Sequence, residues 1–86
     1  MIIKELIIEN ETGLHARPAT AIARKLATVS ADVFLECKGK KANAKSLIGI
    51  LSLGITKGDN VTVIVSGENE EVICSEICEF IVNLRD

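Results

Sequence analysis

The chain has 86 residues, of which 48% are hydrophobic and 26% charged, and its formal net charge at pH 7 is −2. These values are typical of one small globular domain, so we predict a single domain over residues 1–86 and exclude an intrinsically disordered chain. Because the chain has two Phe and no Tyr or Trp, few rings are present for stacking on bases, and we expect no direct binding of nucleic acid.

No segment approaches the roughly 18 consecutive apolar residues of a membrane-spanning helix. Met1 leads into a strand-like segment rather than a charged and then apolar leader. We therefore expect a cytoplasmic protein without membrane insertion. The three cysteines suit a reducing compartment, since an odd number cannot all pair within one chain.

The first third of the chain predicts a strand followed by a helix. IIKELIIE is rich in β-branched residues and predicts a strand near residues 2–8, and NETG then supplies turn residues. ARPATAIARKLATVS carries apolar residues at the i, i+3, i+4 and i+7 spacing of one helix face. Because Pro18 fits the first turn of a helix, we place the helix start near Ala16 and His15 at the N-cap.

The rest of the chain predicts three strands and two helices. Two short strands over 32–37 and 40–44 flank a turn at Gly39, and Ser46 is a favourable N-cap for a short helix over about 47–53. VTVIVSG alternates as a strand does, and EEVICSEICEFIVNL repeats apolar residues at helical spacing. The order β-α-β-β-α-β-α predicts an α+β fold in which helices pack on one face of one sheet.

His15, the only histidine, lies at the predicted start of the first helix. A helix N-terminus carries free N–H groups and a partial positive charge, so it favours an anion. Arg17 adds a guanidinium that suits phosphate oxygens, and imidazole is a nucleophile that forms covalent intermediates. These residues fit a phosphohistidine. A histidine that only caps the helix or lies on the surface, and a metal ligand, are the alternatives.

Positive charge is concentrated in the middle of the chain. Residues 15–57 contain eight lysines and arginines against two acidic residues, whereas residues 67–86 contain six acidic residues against one arginine. A basic middle favours an acidic or phosphorylated partner, although solvated lysines without a role give the same count. We expect the acidic last helix to present a solvated face.

The cysteines and glycines suggest no further chemistry. Cys74 and Cys78 are four residues apart on the last predicted helix, as two metal ligands on one face would be. They flank apolar positions, however, and unpaired Cys is often a small core hydrophobe. We therefore predict packing for both and for Cys37, with a redox role for Cys37 left open, and no metal site. No nucleotide-binding glycine pattern occurs, and we expect no cofactor.

Two motifs, GLHARPAT (13–20) and NAKSLIGILSLGITKGD (43–59), resemble those of HPr, the histidine-containing phosphocarrier family of the phosphoenolpyruvate-dependent sugar phosphotransferase system, in its Gram-positive type. The similarity extends over essentially the whole chain. It implies an open-faced β-sandwich, in which a four-stranded antiparallel sheet carries three helices on one face. It also implies a covalently phosphorylated carrier rather than a stand-alone catalyst.

The resemblance assigns roles to single residues. His15 matches the histidine that accepts a phosphoryl group on Nδ1 from phosphorylated enzyme I and donates it to IIA domains of sugar permeases. Arg17 matches the arginine that steadies the phosphate, and Pro18 the proline that fixes the helix start. The family docks its partners on an apolar surface, which implies contacts from Leu14, Ala16, Thr20, Arg24, Leu47, Ile48 and Leu51.

Ser46 has two interpretations. As a plain N-cap it stabilises the second helix by about 1 kcal/mol. By resemblance it matches a serine that an HPr kinase/phosphorylase modifies to signal carbon status, and phosphate is favourable at a helix N-terminus. This implies the kinase and a catabolite-control transcription factor as further partners.

Two other functions compete with the carrier. A purely regulatory module resembling the Crh-type paralogue would act through phosphorylated Ser46, and a carrier in a nitrogen-type or dihydroxyacetone-linked branch is a third possibility. Crh-type proteins lack the active histidine, whereas this chain has His15, and the NAKSLIG segment argues against the third possibility, so we favour the carrier of the sugar system. We expect a monomer.

Overall fold

The computed structural model describes residues 1–84 and confirms the predicted order of helices and strands. Arg85 and Asp86, which enter the charge count of the tail, lie outside the described residues. The elements in chain order are β1 (Ile2–Ile7), α1 (Ala16–Leu26), β2 (Asp32–Cys37), β3 (Lys40–Asn43), α2 (Leu47–Ser52), β4 (Asn60–Ser66) and α3 (Glu70–Val82).

The four strands form one antiparallel sheet in the order β1-β4-β2-β3. β4 is central, with Val63 opposite Lys4 of β1 on one side and opposite Leu35 of β2 on the other. Val61, Val63 and Val65 are fully buried, whereas the residues between them are half-buried. Side chains alternate between the faces of a strand, so the helices cover one face and leave the other open. The predicted open-faced sandwich is confirmed.

The core is aliphatic, as the near absence of aromatic residues predicts. α1 contributes Ala19, Ile22 and Leu26 from one face, and α3 contributes Ile77 and Ile81. α1 also packs on α2, while α3 packs on β1 and β4. No helix within residues 1–84 is long and apolar enough to cross a bilayer.

Several element ends differ from the predictions by a single residue. β1 ends at Ile7 because the backbone of Ile8 bonds to the loop before β4. The Ile8 N–H donates to the Asp59 carbonyl at 3.0 Å, and the Ile8 carbonyl accepts the Gly58 N–H at 2.7 Å. α2, β3 and β4 also begin or end one residue from the predicted position. These shifts leave the order and the sheet unchanged.

The loop between β1 and α1 lies tightly against the loop that follows α2. Gly13 has a φ of +66°, a left-handed conformation, and a Cβ added there would lie 2.3 Å from the carbonyl oxygen of Ile55. Only glycine fits such a position without strain. The next residue, Leu14, donates its N–H to the same carbonyl at 3.1 Å. The backbone is therefore fixed immediately before His15.

Replacing Gly13 with Ala tests this contact. The new Cβ would meet backbone atoms, which have no flexible side chain to move aside, so we expect the free energy of unfolding to fall by about 2 kcal/mol or more. Gly54→Ala is the control, because Gly54 has a φ of +62° and a Cβ there would have no atom within 4 Å. Urea unfolding measures both losses; equal losses would contradict the steric account.

Candidate functional site

His15 is the N-cap residue of α1 and is exposed. Its backbone is extended, with φ −80° and ψ −163°, and its carbonyl accepts the Ala19 N–H at 2.9 Å. Within the described part of the chain, the imidazole makes no capping hydrogen bond to the helix N-terminus. The predicted position is thus confirmed, and the alternative in which the imidazole serves to cap the helix is wrong.

The surroundings of His15 favour a negatively charged group. α1 has no acidic residue in its first turn, and its N-terminal N–H groups carry the positive end of the helix dipole. Pro18 is buried in that turn, where its missing N–H costs no intrahelical bond. Arg17 is exposed two residues after His15 and adds a permanent positive charge. A phosphate on the imidazole would therefore be close to two sources of positive potential.

The exposed side of α1 forms a shallow groove of about 480 Å³, lined by Ala16, Arg17, Thr20, Ala21 and Arg24. Small side chains form much of this surface, and two arginines add positive charge to it. The Thr20 hydroxyl donates to the Ala16 carbonyl at 2.7 Å, which holds that side chain against the helix. Ala16, Thr20 and Arg24, three of the predicted docking residues, thus line one groove together with Arg17.

Leu14 is the one predicted surface contact that the structure contradicts. Its side chain is only 2% exposed and belongs to the hydrophobic core, although His15 beside it is exposed. The Leu14 N–H bonds to the Ile55 carbonyl, so the backbone directs this side chain inward just before α1 begins. Leu14 therefore packs in the core beneath His15 and has little surface available to a partner.

α2 presents an apolar surface to solvent. Leu47, Ile48 and Leu51 are 36%, 79% and 40% exposed, whereas Ile50 on the same helix is fully buried. One buried side is enough to hold a short helix on the core, so three exposed aliphatic side chains exceed what packing needs. α2 packs on α1, and the loop after α2 bonds to Leu14. We call Leu47, Ile48 and Leu51 the apolar patch.

Ser46 is the N-cap of α2, as predicted, and is exposed. Its Oγ accepts the Gly49 N–H at 3.0 Å, which satisfies one otherwise unpaired donor of the first turn. The hydroxyl directly precedes the apolar patch in sequence, because Leu47 is the first residue of the helix. A charge placed on Ser46 would therefore change the potential next to this patch.

The three cysteines are buried, which confirms the predicted packing. The Sγ atoms of Cys74 and Cys78 lie 3.9 Å apart. Burial, and then the neighbouring Cys74, raises the pKa of Cys78 to about 11, and burial also raises the pKa of Cys37. Because the thiolate is the reactive form, these shifts make both groups poor nucleophiles at neutral pH.

Sequence reasoning missed two contacts that support the site. One is the close approach of Gly13 to Ile55, for which the only signal was a glycine at the end of the turn before His15. The other is made by Lys38, whose Nζ donates to the Gly54 carbonyl at 3.1 Å and lies 3.0 Å from Oδ2 of Asp59. No local pattern indicates the second contact, because it joins residues far apart in the chain.

Comparisons with known proteins agree with this architecture. A family model described as PTS HPr component phosphorylation site matches residues 2–83. The HPr-like protein Crh of Bacillus subtilis strain 168 is 37% identical over 81 residues, covering 94% of this chain and 95% of Crh. The phosphocarrier protein HPr of Borreliella burgdorferi is 34% identical over 86 residues, covering 100% of both chains.

Solved structures are similar as well. A crystal structure of HPr from Thermoanaerobacter tengcongensis has a TM-score of 0.88 at 37% identity, covering 94% of this chain and 91% of that one. An HPr dimer from the same organism has a TM-score of 0.72 at 38% identity, covering 88% and 87% of the two chains. Together with the match of residues 2–83 to the family model, these similarities show that the chain belongs to the HPr family of phosphocarrier proteins of the phosphotransferase system.

Proposed function

We propose that this protein accepts a phosphoryl group on His15 from phosphorylated enzyme I and passes it to IIA domains of sugar permeases. The observation that carries the proposal is the exposed imidazole at the N-cap of α1, next to Arg17 and without a capping role. An anion gains at such a position from the helix dipole and the guanidinium. The membership of the HPr family supplies the two partners.

The chemistry requires only the imidazole and its surroundings. The lone pair of Nδ1 of His15 attacks phosphorus, the N–P bond forms, and the bond to enzyme I breaks with its electron pair leaving on enzyme I. A nucleophile of the IIA domain then attacks the same phosphorus, and the imidazole leaves with its electron pair. Arg17 and the N–H groups of α1 offset the phosphate charge during both steps.

Intact-mass measurement after incubation with phosphoenolpyruvate and enzyme I tests the acceptor. We expect a gain of about 80 Da, the mass of one phosphoryl group, that is lost in acid because the N–P bond is acid-labile. The variant His15→Ala should gain nothing. No gain on the unaltered chain, or an equal gain on His15→Ala, would refute the assignment of His15.

Regulation at Ser46 forms the second part of the proposal. Ser46 is exposed, so a kinase of the HPr kinase/phosphorylase type has access to the hydroxyl. Its phosphate would sit at the start of α2, next to Leu47 of the apolar patch. Burial of a dianion against an apolar or acidic partner surface is costly. We therefore infer that phosphorylation weakens docking of enzyme I and gives a catabolite-control transcription factor a charged feature to bind.

The variant Ser46→Asp imitates this charge. We expect phosphorylation of His15 by enzyme I to slow several-fold or more, because the carboxylate repels acidic groups on enzyme I and must be desolvated on docking. Ser46→Ala is the matched control, since it removes the cap hydrogen bond, worth about 1 kcal/mol, and adds no charge. Initial rates with both variants decide the matter: unchanged rates for Ser46→Asp, or equal slowing by Ser46→Ala, count against a charge effect.

A regulatory module of the Crh type is the second candidate, and the 37% identity to Crh of Bacillus subtilis favours it. His15 is the feature that separates the two, because a module acting only through Ser46 needs no exposed imidazole at the start of α1. Both roles are compatible in one chain. A monomer suffices for either, since the His15 site and the apolar patch are both on one chain.

A further inference from the structure

Lys38 has an unusual backbone conformation. The β2–β3 hairpin has two residues between its strands, Lys38 and Gly39, with φ values of +53° and +80°. Two positive φ angles are typical of the tightest hairpin turns, where Asn, Asp or Gly are preferred at the first position. Lysine has no local hydrogen bond that compensates for this conformation. An outlier of this kind suggests that the side chain is used elsewhere.

The side chain of Lys38 bridges the two ends of the loop between α2 and β4. Its Nζ donates to the Gly54 carbonyl at 3.1 Å and lies 3.0 Å from Oδ2 of Asp59. The same Oδ2 accepts the N–H of Thr56 at 2.8 Å and its hydroxyl at 3.0 Å. One ammonium and one carboxylate thus hold the loop closed.

The carboxylate in this bridge is charged at neutral pH. The backbone N–H of Thr56, followed by the Lys38 ammonium, holds the pKa of Asp59 below its usual 3.8. Both partners are partly exposed, at 52% for the Lys38 side chain and 21% for that of Asp59. Exposed ion pairs of this kind add little to global stability. The bridge is therefore better suited to fixing a local geometry than to holding the fold together.

The loop that the bridge closes is bonded to the residue before His15. The carbonyl of Ile55, the residue after Gly54, accepts the Leu14 N–H at 3.1 Å. The residue after Leu14 is His15, whose own carbonyl begins the hydrogen-bond ladder of α1. A displacement of the loop would therefore move the N-cap of α1 directly. Lys38 is thus connected to His15 through its own side chain, the loop from Gly54 to Asp59, and the hydrogen bond between Ile55 and Leu14.

We propose that Lys38 and Asp59 are positioning residues for phosphoryl transfer, which set the place of the His15 imidazole through Ile55 and Leu14. This inference rests on the proposed carrier function of His15. A small displacement of the attacking nitrogen lowers the rate of the chemical step more than it weakens binding of the partner. The variants leave the side chains of the apolar patch and of Arg24 unaltered, so we expect docking of enzyme I to change less than the rate of the chemical step.

The variant Lys38→Asn separates positioning from stability. Asparagine tolerates the left-handed conformation, so the hairpin should be as stable as before or more so, yet its short side chain cannot reach Gly54 or Asp59. Lys38→Met removes the ammonium and keeps the aliphatic stem. Lys40→Met is the matched control, because Lys40 is exposed in the same hairpin and its loss changes the net charge equally.

Two measurements are made on each variant: kcat and KM for phosphorylation by enzyme I with phosphoenolpyruvate, and hydrogen exchange of the Leu14 amide. We expect Lys38→Asn and Lys38→Met to lower kcat by about fivefold or more with KM changed less than about twofold. The Leu14 amide should exchange faster in both. Lys40→Met should match the unaltered protein in both measurements.

The outcomes separate this inference from the carrier proposal. If His15 of the unaltered protein accepts no phosphoryl group, the carrier proposal fails, and an unchanged Leu14 exchange rate in Lys38→Asn would then overturn the structural link as well. If transfer occurs but kcat is unchanged in both variants, or falls without faster exchange at Leu14, Lys38 does not position His15. If Lys40→Met lowers kcat as much as the two Lys38 variants do, the effect is one of net charge alone and the positioning role is wrong.

Discussion

The candidate site depends on a backbone contact between two loops that are distant in sequence. The Leu14 N–H bonds to the Ile55 carbonyl, and Gly13 has no Cβ that would keep the two loops apart. This contact fixes the residue before His15 against the loop that follows α2, the helix that carries the apolar patch. The entropy of fixing both loops is lost on folding, so His15, the proposed phosphoacceptor, would need little further ordering when a partner docks.

The surface around this contact combines two kinds of interaction. The N-terminus of α1 and Arg17 supply positive potential for a phosphate, while the apolar patch on α2 supplies contact area without charge. Under the proposed function, this separation would let several partners share one docking surface, because the patch would bind each of them while the imidazole carried the group between them. Ser46 directly precedes the apolar patch in sequence, and under the proposed function a charge added there would weaken docking and leave the imidazole intact.

Sequence reasoning gave the order of elements, the cap positions of His15 and Ser46, the exposed apolar residues of α2 and the packing of the cysteines. These features depend on the spacing of residues along the chain, which can be read from a single sequence. Leu14 was assigned to the docking surface by resemblance to the family, whereas its side chain lies in the core and its N–H bonds to the Ile55 carbonyl. The bridge from Lys38 to Asp59 depends on the close approach of two loops, and no pattern of residues along the chain records that approach.

A single-turnover chase tests the central claim, that His15 carries a phosphoryl group between proteins. The chain would be labelled with ³²P from phosphoenolpyruvate through enzyme I, freed of enzyme I and mixed with a sugar-specific IIA domain. The account predicts that the label leaves this protein and appears on the IIA domain in equal amount. Label that stays on His15, or is released only as inorganic phosphate, would contradict a carrier.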